Sequence, residues 1–294
     1  MSTMTQTQSA NRSGDGKAAK KPGQLFADIF TYVVLGLVSL TMLVPFLWMI
    51  STSLKPEYSV FEFPPKFIPS SWLFENYAKI FQAAPFMRFL YNTLFVTLSV
   101  VIGQVVFCSL AAYAFARLPF KGSNAIFVLF LATMMIPSQV TTIPTYIMIY
   151  KFHWLDSYLA QIVPFLSSAY GIFLLKQFFH GLPKETEDAA RIDGCSEFRI
   201  YWNIIMPLSQ PAIATLSVFT FMGVWTDFLW PMLVTNTVGM RTLEVGLSVF
   251  RNQYTTNWPL QMGASLLVIF PVLLVFLFTQ RYFVQGISLT GMKG

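Results

Sequence analysis

The sequence predicts an all-α membrane protein with six transmembrane helices, and three features lead to that fold class. First, 55% of the 294 residues are hydrophobic and only 11% are charged, whereas about a quarter of the residues in soluble domains are charged. Second, the apolar residues lie in six long blocks with little or no charge. Third, each block approaches the ~20 residues that a helix needs to cross a bilayer.

Charged residues or polar segments flank each predicted span. In chain order the spans are 29–54, 89–116, 122–150, 157–175, roughly 210–235 and a helix within 252–280. Pro137 and Pro144 should break the third span, because proline removes a backbone hydrogen bond. The external loop 55–88 is rich in proline and aromatic residues and should contain a short helix near 75–82.

The distribution of lysine and arginine sets the orientation of the spans. A cytoplasmic N-terminus places most of the 19 basic residues in the cytoplasm. An even number of spans then returns the C-terminus to the same side. The polar segment 1–24 has few apolar residues, so we predict a disordered cytoplasmic tail followed by a transmembrane domain over 25–294.

The segment 181–211, between the fourth and fifth spans, combines charge with a helical pattern. Glu185, Glu187 and Asp188 supply negative charge near a helix N-terminus. Gly194 can close that helix, and Ser196 can cap a second one. The apolar residues of the second helix recur at i, i+3, i+4 and i+7, namely Phe198, Tyr201, Trp202 and Ile205. We predict a cytoplasmic helical hairpin that docks against another protein.

Several classes of chemistry have no basis in the sequence. A phosphate-binding G-x-x-x-x-G-K-[ST] motif is absent, so the chain should not hydrolyse ATP alone. His153 and His180 are isolated, and no spacing typical of a metal site occurs. A disulfide between Cys108 and Cys195 is not expected, and the basic residues do not cluster as nucleic-acid binding requires. We therefore predict no catalytic residue, no metal and no cofactor on this chain.

The hairpin resembles a known family. The run DAARIDG at 188–194, followed after nine residues by IIMP at 204–207, looks like the EAA loop of ABC-importer permeases, E-A-A-x-x-x-G-x9-I-x-L-P. Asp188 and Met206 depart mildly from that pattern. MIPSQ at 135–139, WTDFLWP at 225–231 and the C-terminal 286–294 resemble the MalG-type subunit of carbohydrate importers, in which Asn is more usual than Thr226.

The resemblance implies a MalG-like permease fold in the inner membrane, with 181–211 as a coupling loop. It implies a cytoplasmic ABC ATPase dimer that binds ATP and Mg, a second permease of the MalF type and an extracytoplasmic solute-binding protein. Membrane lipid is the remaining partner, and nucleic acid is not expected. The residues that would couple to the ATPase are Asp188, Ala189, Ala190, Arg191, Asp193, Gly194 and Pro207.

A solute pathway is predicted around Asp227, the one carboxylate deep within a predicted span. An Asp at the bilayer centre costs ~2.5–3.5 kcal/mol, so it should face a protein interface or a watery cavity. Flanking aromatic faces together with a carboxylate suit a sugar, although an aromatic belt at the membrane interface explains them equally well. The pathway candidates are Gln139, Tyr146, Ser167, Tyr170, Trp225, Thr226, Asp227 and Trp230. Helix packing is an alternative role for those in the third and fourth spans.

Together with these observations, the resemblance implies a non-catalytic permease subunit of an ATP-driven importer for a mono-, di- or oligosaccharide or a glycoside, working by alternating access. A glycerol phosphate or related phosphorylated polyol is the alternative solute. A self-contained secondary transporter or channel would need its own coupling-ion site, and a membrane enzyme would need a nucleophile and base or metal ligands.

Overall fold

The computed structural model describes residues 22–251 and 256–291, with side chains within 28–251 and 256–280. The helices are α1 Pro22–Ser53, α2 Glu75–Ala83, α3 Phe86–Arg117, α4 Ser123–Thr133, α5 Ser138–Lys151, α6 Tyr158–Ile162, α7 Ala169–His180, α8 Glu185–Ile192, α9 Glu197–Ile200, α10 Met206–Leu208, α11 Gln210–Trp225, α12 Leu229–Val234, α13 Leu243–Gly246 and α14 Trp258–Gly291. Extended pairing within these ranges is limited to one bridge between Arg251 and Thr256. The all-α prediction is confirmed.

Three helices are long and apolar enough to cross a membrane unbroken, and they lie within α1, α3 and α14. Three further spans are pairs of helices that bend at a short break, by 98° between α4 and α5, by 40° before α7, and by 78° before α11. Counting each bent pair as one span gives up to six spans over the described residues. This count matches the six that the hydropathy pattern predicts.

Two compact units divide the chain, 1–48 and 49–294. In the first unit, the side chains of α1 expose their apolar surface, with Leu40 at 57% and Met42 at 67%. Such a surface suits contact with lipid. Helix α1 begins at Pro22, so the rest of the predicted cytoplasmic tail lies outside the described residues. The C-terminal end of the resemblance, at 292–294, lies outside them as well.

The bend of the third span has an identifiable cause. Pro137 directly precedes α5 at the 98° bend, as predicted, whereas Pro144 lies inside α5 without ending it.

The predicted fifth span extended to about 235, but α11 ends at Trp225. A separate short helix, α12, follows the interruption at 226–228. The predicted external helix near 75–82 is confirmed as α2.

Helix α3 lies at the centre of the second unit and packs against α7 and α11. The contact with α7 is close, because a Cβ added at Gly171 would lie 2.9 Å from Sγ of Cys108. A glycine at this position therefore lets the two helices approach, as small residues do in membrane proteins. Two apolar clusters pack against α3, one around Ala112 near the hairpin and one around Phe89 near α2.

Candidate solute cavity and coupling hairpin

A cavity of about 230 Å³ lies beside the middle of α3 and is called here the Asp227 cavity. Its wall combines hydroxyl and amide side chains with two aromatic rings and one carboxylate. The polar and aromatic lining residues are Thr93, Thr97, Gln104, Gln161, Phe165, Thr220, Asp227, Trp230 and Thr242. Lysine, arginine and histidine are absent from the residues that line it.

Asp227 lies at the interruption between α11 and α12. One of its carboxylate oxygens accepts a 3.4 Å hydrogen bond from the backbone N–H of Trp230. The same residue also lines a second, larger groove of about 540 Å³, called here the α5 groove. This groove carries the hydroxyls of Ser138, Thr141, Thr142 and Thr145. Asp227 therefore connects the two spaces.

Three buried polar atoms on the cavity wall have no hydrogen-bond partner among the described residues. They are Oγ1 of Thr97, Oε1 of Gln161 and Oγ1 of Thr242. All three side chains belong to residues that are at most 4% exposed. Buried polar groups are normally paired, so these atoms are suited to bind water or a polar solute within the cavity.

Gln104 also lines the cavity, but its side chain is engaged within the protein. Its amide oxygen accepts hydrogen bonds from Oγ of Ser168 at 3.0 Å and from Oγ1 of Thr220 at 3.1 Å. Its amide nitrogen donates to the carbonyl of Phe165 at 3.0 Å. Gln104 therefore stabilises the bend of the fourth span and has little capacity left for a solute.

The two tryptophans of the WTDFLWP motif have different environments. Trp230 lines the cavity and the groove, and its indole N–H donates to the carbonyl of Ala160 at 2.9 Å. Trp225 is 1% exposed, packs in the cluster around Phe89, and donates to the carbonyl of Val268 at 3.0 Å. Trp225 lines neither space, because its ring fills the core instead.

Five other pathway candidates also line neither space. Gln139, Ser167 and Thr226 are exposed, and the Thr226 hydroxyl donates to the carbonyl of Met222 within α11. Tyr146 packs against the cluster that contains Trp230. The remaining candidate, Tyr170, is 40% exposed and lies edge-on to Phe219. The structure thus brings together only Asp227 and Trp230 of the predicted set.

The predicted hairpin is present. Helix α8 ends at Ile192, and Gly194 follows with a φ of 78°, a left-handed conformation that favours glycine. The Ser196 hydroxyl accepts a hydrogen bond from the backbone N–H of Arg199, so it caps α9 as predicted. Beyond α9 the helix widens into a π turn at Tyr201–Ile205.

The second helix of the hairpin buries only part of the predicted apolar stripe. Tyr201 and Ile205 are buried as the spacing predicts, but Phe198 is 68% exposed and Trp202 is 58% exposed. The predicted apolar stripe is therefore only half right. The two buried residues are four positions apart, as are the two exposed ones, so the four side chains divide between an inner and an outer face of the helix.

An ionic network holds the first hairpin helix against α3. Nε of Arg117 lies 2.7 Å from Oε1 of Glu187, and both side chains are at most 2% exposed. Arg191 donates from Nε to Glu197 at 2.8 Å and from Nη1 to Asp188 at 2.9 Å. Sequence reasoning missed the pairing of Arg117 with Glu187, because 70 residues of sequence separate them. The only local signal was a charged residue, Arg117, at the end of an apolar block.

Burial and pairing shift the acid–base behaviour of this network. Burial raises the pKa of the Glu187 carboxyl, against the opposing attraction of Arg117 and Arg191. Hydrogen bonding to Glu197 raises the pKa of the Arg191 guanidinium, which therefore stays charged. Arg191 thus acts as a permanent cation between Asp188 and Glu197.

The face of α8 that points away from the protein carries the remaining coupling candidates. Asp188, Ala189 and Asp193 are exposed, and Ile192 is exposed by 87%. Ala190 is 9% exposed and packs into the cluster around Ala112, so Ala189 is the exposed one of the two alanines. Gly194 and Pro207 are exposed at the turn and beyond α9. Sequence reasoning did not single out Ile192, although an apolar side chain in a charged helix was the available signal.

A bundle of bent spans around a polar cavity, with a short helical hairpin beneath it, defines a multi-pass membrane transport component. The chain matches, over residues 104–288, the family described as the binding-protein-dependent transport system inner membrane component. The chain belongs to this family, whose members are inner-membrane permease components rather than enzymes and work with a separate ATPase subunit.

Characterised relatives cover most of the chain. The arabinooligosaccharides transport system permease protein AraQ of Bacillus subtilis is 34% identical and aligns with 88% of this chain and 93% of its own. The sn-glycerol-3-phosphate transport system permease protein UgpE of Yersinia enterocolitica is 34% identical over 88% and 95%. The probable starch degradation products transport system permease protein AmyC of Thermoanaerobacterium thermosulfurigenes is 36% identical over the same shares.

Solved structures share the fold. A chain of the crystal structure of a bacterial ABC transporter involved in the import of the acidic polysaccharide alginate superposes with a TM-score of 0.81 and 22% identity, over 90% of this chain and 99% of that one. A second alginate transporter structure, in complex with an alginate pentasaccharide-bound periplasmic protein, gives a TM-score of 0.62 and 16% identity, over 87% and 94%. The predicted permease fold is confirmed.

Proposed function

We propose that this chain is the permease subunit of an ATP-driven importer that moves a neutral sugar from a solute-binding protein into the cytoplasm by alternating access. One observation carries the choice of solute, namely the composition of the Asp227 cavity. Its unpaired hydroxyl and amide oxygens, with Asp227, can accept hydrogen bonds from sugar hydroxyls. The rings of Phe165 and Trp230 supply apolar faces for the C–H surface of a sugar ring.

A phosphorylated polyol is the competing solute, and the UgpE relative supports it by its name. A phosphate carries negative charge and is normally bound by arginine, lysine or a helix N-terminus. The residues that line the Asp227 cavity and the α5 groove include no cation and do include the Asp227 carboxylate. Repulsion between two anions in this setting favours the neutral solute, as do the names of the AraQ and AmyC relatives.

The exposed face of α8 is the proposed contact with a cytoplasmic ATPase dimer, which would bind ATP and Mg. Ile192 offers an apolar side chain for a groove in the partner, and Ala189 beside it leaves the helix backbone accessible. Asp188 and Asp193 at the rim offer charge-assisted hydrogen bonds. Closure of the ATPase dimer would then move the hairpin as a rigid element.

The remaining proposed partners are a second permease of the MalF type and an extracytoplasmic solute-binding protein. The alginate transporter neighbour with its bound periplasmic protein supports the latter by its title. In this arrangement the hairpin, the N-terminus and the C-terminus lie in the cytoplasm. A self-contained secondary transporter has less support, because Asp227 is the one ionisable side chain that lines either space among the residues the structure describes.

A transport assay tests the proposed solute. The complete importer, purified from its native membrane and reconstituted in vesicles with ATP inside, is offered labelled neutral oligosaccharides and labelled sn-glycerol 3-phosphate. We expect uptake of a neutral sugar and a raised KM for it in Thr97→Val, which removes an unpaired cavity hydroxyl. Thr133→Val on the exposed surface of α4 serves as a control that should leave KM unchanged. Uptake of glycerol phosphate without any sugar would overturn the proposal.

Capture of the ATPase tests the proposed docking face separately. Affinity-purified wild-type chain should bring ATP-hydrolysing subunits with it from the membrane. Ile192→Asp should release them, because a carboxylate would enter an apolar contact, while Ile192→Leu should retain them. Equal recovery of ATPase with the Asp and Leu variants would show that Ile192 does not contact it.

A further inference from the structure

Three polar side chains on α3 contact the hairpin, and they recur every four residues. Ser109 shares a 2.7 Å hydrogen bond with the hydroxyl of Tyr201. One turn further on, the Tyr113 hydroxyl donates to Glu197 at 2.6 Å. The third residue, Arg117, reaches the hairpin through Glu187. This spacing places the three side chains on one face of α3, so the hairpin is attached along two turns of the helix.

The Arg117–Glu187 contact is the most enclosed of the three. Both side chains are at most 2% exposed, and Nη2 of Arg117 also donates to the carbonyl of Leu182 at 2.8 Å. Arg117 therefore holds the segment before α8 as well as α8 itself. Its Nη1 atom has no acceptor among the described residues, and the 2.7 Å contact of Nε with Glu187 is an ion pair without hydrogen-bond geometry. A buried guanidinium with so few other partners depends on Glu187 for compensation of its charge.

The other half of α3 reaches the Asp227 cavity. Thr93, Thr97 and Gln104 line that cavity, and α3 runs as one helix from Phe86 to Arg117. A single unbroken helix therefore joins the hairpin attachment to the cavity wall. Three other spans bend at a short break, whereas α3 runs between the two sites without one.

We propose that Arg117 is a positioning residue that latches the hairpin to α3, so that movement of the hairpin is transmitted through α3 to the Asp227 cavity. The proposal rests on the proposed function in one respect, that an ATPase drives the hairpin. It goes beyond that function by assigning the transmission to one buried ion pair. A hairpin released from α3 would still bind the ATPase through its outer face, but would move without moving the cavity wall.

The first test measures coupling in the reconstituted importer, as solute imported per ATP hydrolysed. Arg117→Gln should lower this ratio by about tenfold or more while the ATPase still co-purifies. The charge exchange Arg117→Glu with Glu187→Arg should restore part of the ratio, because it rebuilds an ion pair between the same positions. Arg199→Gln, at an exposed position of the same hairpin, is the matched control and should leave it unchanged.

The ratios measured for the Arg117 variants distinguish a residue that transmits movement of the hairpin from one needed only for folding. A loss of assembly or folding in Arg117→Gln that the exchange does not restore would overturn the latch. An unchanged ratio in Arg117→Gln would overturn it too. Arg117→Lys keeps the charge but cannot reach both Glu187 and Leu182 as the guanidinium does, so an intermediate ratio is expected.

A second measurement does not depend on the ATPase. Spin labels at Ile192→Cys on the hairpin and Phe107→Cys on α3, both exposed, report the distance between the two elements in the purified chain. Cys108→Ala and Cys195→Ser remove the native thiols. A narrow distance distribution that broadens in Arg117→Gln supports the latch even if no ATPase is recovered. An unaltered distribution would overturn the latch while leaving the proposed function standing.

Discussion

The side-chain amide of Gln104 on α3 donates a 3.0 Å hydrogen bond to the carbonyl of Phe165, at the bend of the fourth span. A helix that bends within a membrane frees backbone groups that water cannot reach, and a neighbouring helix must then satisfy them. Gln104 does so while its amide oxygen accepts from Ser168 and Thr220. One side chain thereby joins α3, the bend and α11.

Replacement of Gln104 by leucine should destabilise the chain. The variant leaves the Phe165 carbonyl and two hydroxyls without their partner, so we expect the free energy of unfolding to fall by about 1–3 kcal/mol. Thermal unfolding in detergent measures the change. Thr220→Val removes only one of the three hydrogen bonds and should have a smaller effect. Equal melting temperatures for wild type and Gln104→Leu would contradict this role.

The two tryptophans of the WTDFLWP motif should respond differently to replacement by phenylalanine. Trp225→Phe removes the hydrogen bond to Val268 from a buried core, so it should lower the melting temperature and leave KM for the solute unchanged. Trp230→Phe alters the wall of the Asp227 cavity, so it should also raise KM. Each should lose about 0.5–1.5 kcal/mol of stability from the hydrogen bond. A raised KM in Trp225→Phe but not in Trp230→Phe would contradict the placement of Trp225 in the core and of Trp230 at the cavity wall.

Gly194 is expected to be required for its backbone conformation. Its φ is 78°, and an added Cβ would meet nothing within 4 Å, so Gly194→Ala should cost about 1–2 kcal/mol through local strain without a clash. Gly122 offers a matched control, with a φ of 81° and equally open surroundings. Both alanine variants should lose similar stability in thermal unfolding. Only Gly194→Ala should reduce recovery of the ATPase, and an equal reduction by Gly122→Ala would argue against a specific role.

Asp156, in the loop between α5 and α6, should contribute stability that depends on pH. Burial works against its ionisation, but hydrogen bonds from the backbone N–H groups of Thr237 and Asn236, both at 2.9 Å, outweigh burial and lower its pKa. A lowered pKa in the folded state stabilises the protein above the ordinary value of ~3.9, and this contribution is lost as the pH falls through the lowered value.

Melting temperatures of wild type and Asp156→Asn, measured from neutral pH downwards, test this contribution. The wild type should melt higher by a constant amount until the pH approaches ~4, and the difference should then shrink. Glu62→Gln breaks an exposed pair with Lys66 and should change little at any pH. A difference in melting temperature that grows as the pH falls would contradict a lowered pKa for Asp156 in the folded state.

The sequence by itself determined the fold class, the spans and the hairpin. Long uncharged blocks can be stable only as helices in lipid, and that constraint acts locally along the chain. Local chemistry likewise located the glycine turn at Gly194 and the cap at Ser196, because both depend on neighbouring residues alone. The EAA-like pattern pointed to the family that the relatives confirm.

Only the tertiary structure decided which side chains face a cavity, a partner or the core. Arg117 and Glu187 meet because two elements far apart in sequence pack together, and no periodicity encodes that contact. Trp225 and Trp230 belong to one motif, yet the interruption at Asp227 directs one into the core and the other to the cavity. Hydropathy measures how apolar a residue is, whereas the identity of its neighbours is settled by helix packing across the whole chain.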